Sequence, residues 1–254
     1  MDWSPFANSA PALLSTAAAA ATAVASYGMF HPRSRLFGPV ITRGPRDSSK
    51  VALTFDDGPW PGSTELILDT LATHRIKATF FVIGRYAKAH PDIIKRAADE
   101  GHLIGNHSFD HRRLGMFRHT AYWNQQIAQT QEVIAEITGS LPEFFRPPMG
   151  FKSPYLMSAV RRNNVRAVTW SWRGFDSRAI SPDRICSASG SIQSGDIAML
   201  HDGRDPASRK PIGATARALE GVIEGLVTRG LGFERLDAFV ARAPHPAADA
   251  QSAG

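Results

Sequence analysis

Short apolar runs alternate with longer amphipathic stretches along most of this chain. Residues 51–55 are brief, apolar and closed by Asp56-Asp57-Gly58-Pro59, which reads as a buried strand running into a turn. Ser63 or Thr64 can cap a helix to about His74, with Leu66, Ile67 and Leu71 facing inward. Residues 78–83 read as a second strand, 92–100 as a helix stopped by Gly101, and 102–105 as a third strand. Trp123, Ile127, Thr130, Ile134 and Ile137 recur at helical spacing, and Gly139 ends that helix. Phe144-Phe145, 167–172, 197–200 and 233–236 supply the remaining strand signals. Helices are expected at 154–163, after Ser181-Pro182, and from about Gly213 to Thr228. This alternation predicts an α/β fold, a sheet of about seven parallel strands covered by helices and curled into an incomplete barrel.

The two ends fall outside that pattern. Residues 11–30 carry no charge and are dominated by alanine, so an N-terminal alanine-rich helix is expected. Its length suits a membrane span, but alanine is only weakly hydrophobic and insertion would be marginal. Three readings stay open: an uncleaved membrane anchor, a signal peptide cut near Ala23-Val24-Ala25, and a soluble helix packed on the domain. Arg33, Arg35, Arg43 and Arg46 follow the run, and as an anchor they would hold the downstream domain in the cytoplasm. Pro32, Gly38, Pro39, Gly44 and Pro45 mark residues 31–49 as a linker. The domain division is therefore 1–49 for helix and linker, 50–240 for one catalytic-sized domain, and 241–254 for an Ala/Pro-rich tail expected to be disordered.

Composition narrows the partners. The chain has 254 residues, a net charge of +6 and a pI near 9.8, which favours anionic surfaces or polymers. Its basic residues are scattered and form no nucleic-acid motif, so nucleic acid is not the expected partner. Cys186 is the single cysteine, which excludes an internal disulfide and a multi-cysteine zinc site.

The chemistry gathers at the strand ends, where α/β folds place their sites. Asp56 and Asp57 close the first strand, and a kink at Gly58-Pro59 would let both reach one site. Their mutual repulsion would be offset by a neighbouring cation. His107 and His111 stand four residues apart just after the third strand, a spacing that puts both on one side of a helical turn. One carboxylate with two imidazoles makes three metal ligands and leaves room for water. Arg146 precedes Pro147-Pro148-Met149-Gly150, and an arginine at a strand end can fork onto a carboxylate. Asp176 follows 170–175, and Met199-Leu200-His201 ends a later strand. An acid paired with His201 would fix its tautomer and make it a proton donor. His102 is expected to be structural, and His31, His74, His90, His119 and His245 to be solvated or to sit one layer behind the ligating residues.

Thr54-Phe55-Asp56-Asp57-Gly58, His107-Ser108-Phe109-Asp110-His111, Arg146-Pro147-Pro148-Met149-Gly150, Asp176 and Leu200-His201 together resemble the five ordered motifs of the polysaccharide deacetylase family, the nodulation-deacetylase type of carbohydrate esterase family four. The resemblance covers roughly residues 48–240. It implies a distorted (β/α) barrel and metal-dependent hydrolysis of an N-acyl group on a sugar. Position by position, it implies Asp56 as general base, Asp57, His107 and His111 as ligands of a divalent metal, usually Zn2+, and Arg146 as the residue orienting the base. It further implies the backbone N–H of Met149 as oxyanion donor, His201 as general acid, Asp176 as its holder, and Met199 as an acyl-pocket wall. Two departures stand out: Met149 occupies a place where tyrosine or phenylalanine is common, and Ser177 follows Asp176 where tryptophan is common. Trp170 or Trp172 could replace that wall.

The expected function is removal of N-acetyl groups from an amino-sugar glycan, peptidoglycan or a chitin-like oligosaccharide, by a membrane-associated or cell-envelope protein. The alternative is a deformylase or deacetylase of a lipid-linked amino sugar at the inner membrane, motivated by the N-terminal run and the positive charge. A carbohydrate-binding module that has lost turnover is the reading from another class, and the full set of occupied motif positions argues against it.

Overall fold

The computed structural model describes residues 9–177, 180–209 and 212–241. Its strands are β1 Lys50–Asp56, β2 Thr79–Val82, β3 Leu103–Asn106, β4 Phe144–Phe145, β5 Arg166–Ala167, β6 Trp172–Arg173, β7 Ile197–His201 and β8 Gly232–Phe233. The helices are α1 Ser9–Phe30, α2 Ser63–Thr73, α3 Gly84–Ala89, α4 Pro91–Asp99, α5 Thr120–Thr138, α6 Pro154–Arg162, α7 Pro182–Ser189, α8 Ala214–Thr228 and α9 Leu236–Ala241. Every pairing between named strands is parallel, in the order β5-β4-β3-β2-β1-β7-β6, with β8 added against β1. Seven strands thus curl into a partial barrel with helices around it.

Period-two alternation decides what each strand shows to the barrel. On β1, Val51, Leu53 and Phe55 pack outward with Leu68, Leu71, Leu219 and Val222 of α2 and α8. Ala52, Thr54 and Asp56 face the other way. Ala52 joins Phe81, Phe144, Val168 and Ile197 in a second apolar cluster, which Leu236, Phe239 and Val240 of α9 share. On β7, Ala198 and Leu200 lie in the outer core, which leaves Met199 and His201 for the barrel's inner side. Asp56 and His201 are partners in the β1–β7 ladder, so the register places them side by side at the sheet's carboxyl end.

The expected 167–172 strand is instead two short strands at opposite ends of the sheet. Val168 N–H still bonds Phe145 O at 2.9 Å, whereas Ser171 N–H bonds Ile197 O at 3.2 Å. The chain therefore crosses the seam of the open barrel between them. A parallel bridge from Ile41 to Val168 covers the crossing. Residues 233–236 also divide: Leu236 opens α9, because its side chain is needed in the apolar cluster shared with Ala52 and Phe144. Helix α3 was not anticipated; its six residues carry too few apolar positions for a periodicity. On α2, Leu66 is 54% exposed, and the inward stripe is Thr64, Ile67, Leu68 and Leu71, the i, i+3, i+4, i+7 set.

Helix α1 carries exposed side chains on all faces from residue 15 to 27. Among the described residues, no helix is long and apolar enough to cross a membrane. The helix is held at its base, where Gly28 is buried against Leu36 and Phe37, and Lys152 N–H bonds Met29 O at 3.0 Å. Residues 31–49 are irregular, as expected, yet well anchored: Val40 is 4% exposed and Arg43 pairs with Asp196 at 2.6 Å. The tail beyond residue 241 lies outside the described residues.

Candidate active site

The turn after β1 separates the two carboxylates. Asp57 takes a left-handed backbone, φ 71°, and the Gly58–Pro59 bond is cis, so the kink begins one residue earlier than Gly58-Pro59 alone implies. Asp56 stays on the inner strand face and Asp57 swings toward the loop after β3. That turn leaves no room for larger residues: a Cβ on Gly203 would lie 2.1 Å from Asp57 O.

His107 and His111 meet through a loop, which corrects the expected helical turn. Ser108 and His111 both have positive φ, 65° and 51°, and they fold the segment back on itself. Asn106 stabilises it: Oδ1 accepts the Ser108 N–H at 2.9 Å, and the side-chain amide donates to Ile127 O. His107 Nε2 and His111 Nε2 stand 3.5 and 3.3 Å from Asp57 Oδ1. Two ligands about 2.0–2.1 Å from one tetrahedral ion stand roughly 3.3 Å apart, so these separations suit a shared cation. Asp57 Oδ1 is buried with no hydrogen-bond partner, as a ligand oxygen awaiting an ion would be. Burial alone would raise the Asp57 pKa, yet His111, His107 and His201 more than reverse it and hold the carboxyl well below the usual range. His111 is affected oppositely: burial lowers its pKa, but Asp57, Asp205 and Asp56 together more than offset it and raise the value.

Asp56 is served by Arg146, which is entirely buried. Its Nη1 donates to Asp56 Oδ1 at 2.6 Å and to Thr54 Oγ1 at 2.8 Å, and Nη2 donates to Thr169 O at 3.0 Å. The guanidinium lies 4.1 Å over the Phe81 ring. One side chain thus joins β1 to the seam and fixes Asp56.

Across the mouth, His201 Nδ1 bonds Asp176 Oδ1 at 2.9 Å, while Asp176 Oδ2 accepts from His201 N–H at 2.6 Å and from the Thr215 hydroxyl at 2.5 Å. Burial lowers the imidazole's pKa, but Asp176, with Asp57 and Asp56 adding to it, more than offsets this and raises the value to about 10. Asp176 is correspondingly held low against its own burial.

The structure therefore gathers Asp56, Asp57, His107, His111, Met149, Asp176, Met199 and His201 around one cleft, with Arg146 behind it. Met149 has φ 59° and a 45% exposed side chain. Trp170 lines the cleft and packs on Gly150, where a Cβ would lie 2.5 Å from its ring. Trp172 does not; its indole N–H bonds Ser191 Oγ at 2.9 Å. His102 is buried, accepts Ala78 N–H at 3.1 Å, and burial lowers its pKa to about 4, a structural position as expected. Sequence reasoning gave no role to Thr54, Thr215, Asp202 or Asp205, although Thr54 stands in the first motif. Thr54 alone carried a readable signal, as the polar residue amid an apolar strand, two before Asp56.

A partial parallel barrel with an Asp-His-His cluster, a clamped carboxylate and a His–Asp pair at its carboxyl end defines a metal-assisted hydrolase. The family model described as polysaccharide deacetylase matches residues 43–168, and a peptidoglycan-N-acetylglucosamine deacetylase of Bacillus cereus is 37% identical over 194 residues, covering 76% of this chain and 69% of that protein. The chain belongs to the polysaccharide deacetylase family, and it is an enzyme of carbohydrate deacetylation. A chitooligosaccharide deacetylase of a Bradyrhizobium species is 34% identical over 193 residues, covering 73% of this chain and 88% of that one. The crystal structure of the Bc1960 peptidoglycan N-acetylglucosamine deacetylase, in complex with 4-naphthalen-1-yl-N-oxidanyl-benzamide, superposes with a TM-score of 0.73 at 34% identity, covering 79% of this chain and 92% of that one. Deacetylases of this family are metal-dependent, and Asp57, His107 and His111 form a cluster able to hold an ion.

Proposed function

We propose that the protein hydrolyses the N-acetyl group of an amino-sugar glycan of the cell envelope, peptidoglycan or a chitin-like oligosaccharide, with Zn2+ held by Asp57, His107 and His111. The observation that carries this reading is the convergence of that triad with the Asp56–Arg146 and Asp176–His201 pairs in one cleft. The bound ion would supply Lewis-acid polarisation of the amide carbonyl and of water.

The chain's own groups do the rest. Asp56, held through Oδ1 by Arg146, takes the proton of the attacking water. The Met149 N–H, on a backbone bent by positive φ toward the cleft, donates to the developing oxyanion. His201 carries a proton at neutral pH and delivers it to the departing amine, with Asp176 fixing the ring from behind. Met199 and Trp170 wall a small acyl pocket that fits acetyl or formyl. We place the catalytic unit at residues 50–240, with 31–49 packed on it.

The lipid-linked alternative rests only on the N-terminal helix and the net charge, and the relatives bear names of glycan deacetylases. Purified protein loaded with zinc is assayed for acetate on peptidoglycan and on chitin oligosaccharides, and for formate on a lipid-linked formamido sugar. Acetate from a glycan is the expected result. Turnover of the lipid-linked sugar alone overturns the reading, and so does bound zinc with no acyl release from any substrate.

A further inference from the structure

The two histidines of the triad are supported unequally. His107 turns Nε2 toward Asp57 and has its Nδ1 2.7 Å from Arg146 O, so a backbone carbonyl fixes its tautomer and ring plane. His111 also turns Nε2 toward Asp57, but its buried Nδ1 has no hydrogen-bond partner. A neutral imidazole that ligates through Nε2 carries its proton on Nδ1, and a buried N–H needs an acceptor. The group facing Nδ1 is the Asp205 carboxylate, with Oδ1 3.7 Å away.

Asp205 lies in the loop after β7, four residues beyond His201, and is 8% exposed. It is held from two sides: Oδ1 accepts the Ala207 N–H at 2.8 Å, and Oδ2 accepts from Arg113 Nε. Arg113 belongs to the short 3-10 turn that follows the histidine loop. The Arg113–Asp205 pair thus ties the turn after the histidine loop to the loop that follows His201.

We infer that Asp205 is a positioning residue for His111, the acceptor that fixes its ring for metal binding and ties the two loops across the mouth. The inference rests on the proposed Asp57-His107-His111 metal site. Carboxylates behind a ligating histidine raise its basicity, and their loss weakens metal binding by about 10–100-fold.

The test measures zinc affinity by competition with a chromogenic chelator in wild type, Asp205→Asn and Asp205→Glu, with thermal melting of each. The His111 Nδ1–H proton is followed by NMR in the zinc-loaded proteins. The expected result is about 10–100-fold weaker zinc binding in Asp205→Asn, with the Nδ1–H signal shifted or lost. Asp205→Glu, which keeps a carboxylate, recovers most of the affinity. Wild-type affinity with an unchanged proton signal in Asp205→Asn overturns the inference, as does an equal loss in both variants, which would mark a loop tie only. Should Asp205→Asn fail to fold, Arg113→Ala takes its place: weaker zinc binding with a shifted Nδ1–H signal supports the inference, and neither change overturns it. Failure of wild type itself to bind one zinc refutes the metal site instead, so the two failures are told apart.

Discussion

Arg146 holds a full charge where no water reaches, and it is tolerable there because Asp56, Thr54 and Thr169 accept from its two Nη atoms and Phe81 lies against its face. Replacing Asp56 therefore has two consequences, loss of the proposed proton acceptor and a buried cation without its partner. Asp56→Asn is expected to lower kcat by about 10²–10⁴-fold while zinc content by atomic spectroscopy stays near one per chain. Near-wild-type turnover would refute Asp56 as the base. For His201 the pKa is raised from 6.5 to about 10, so the acid form persists through neutral pH. Activity should fall on an alkaline limb, and Asp176→Asn should move that limb to lower pH, because the carboxylate that raises the value is gone. Stability follows the same sign: the pair's contribution is complete below about 6.5 and is lost as pH rises through about 10. Melts of wild type and Asp176→Asn across that range would show it as a narrowing gap. The groups at this scale were legible because each sits beside a strand end and a turn. Asp205 was not, since a carboxylate in an irregular loop has no periodicity, and its partner His111 is 94 residues away.

At the scale of elements, the site depends on two glycines that let strand ends meet. Gly58 lies against Asp202, where a Cβ would come within 1.9 Å of Oδ2, and Gly203 lies against the Asp57 carbonyl. Asp202 itself is buried, accepts the Thr64 hydroxyl at 2.7 Å, and burial raises its pKa to about 7. Gly203→Ala is expected to cost about 2–4 kcal/mol and to weaken zinc binding by displacing Asp57; thermal melts with chelator titration check both. The strands were readable from apolar runs, and the alternation on β1 and β7 explains why. The split between β5 and β6 was not readable, because 167–172 (Ala-Val-Thr-Trp-Ser-Trp) contains no glycine or proline to mark a break and the seam is fixed by partners far away in sequence. The histidine loop was misread as a helical turn for a related reason: spacing reports that two side chains can meet, and positive φ at Ser108 and His111 is what brings them together.

Over the whole molecule, Lys152 is one of the links that tie the turn after α1 to the barrel. Its buried Nζ donates to His31 O, Pro32 O and Gly150 O, and burial lowers its pKa to about 8. Lys152→Met would leave those carbonyls without a charged donor, a loss of about 2–3 kcal/mol. Tm should drop by roughly 5–10 °C, and protease should cut faster within residues 27–35. Val24→Ser, by contrast, should leave Tm within about 2 °C, because that side chain is 55% exposed. The strand order has a further effect on how the protein is made. The central strand β1 pairs with β7, so Asp56 waits for His201, which follows 145 residues later by the difference in numbering. At the pace of translation that interval is roughly 10–30 s. Asp57, His107 and His111 have all left the ribosome well before Asp176 and His201 follow. The growing chain therefore acquires the proposed metal ligands first and the proposed proton donor last, and the cleft is complete only once His201 has emerged.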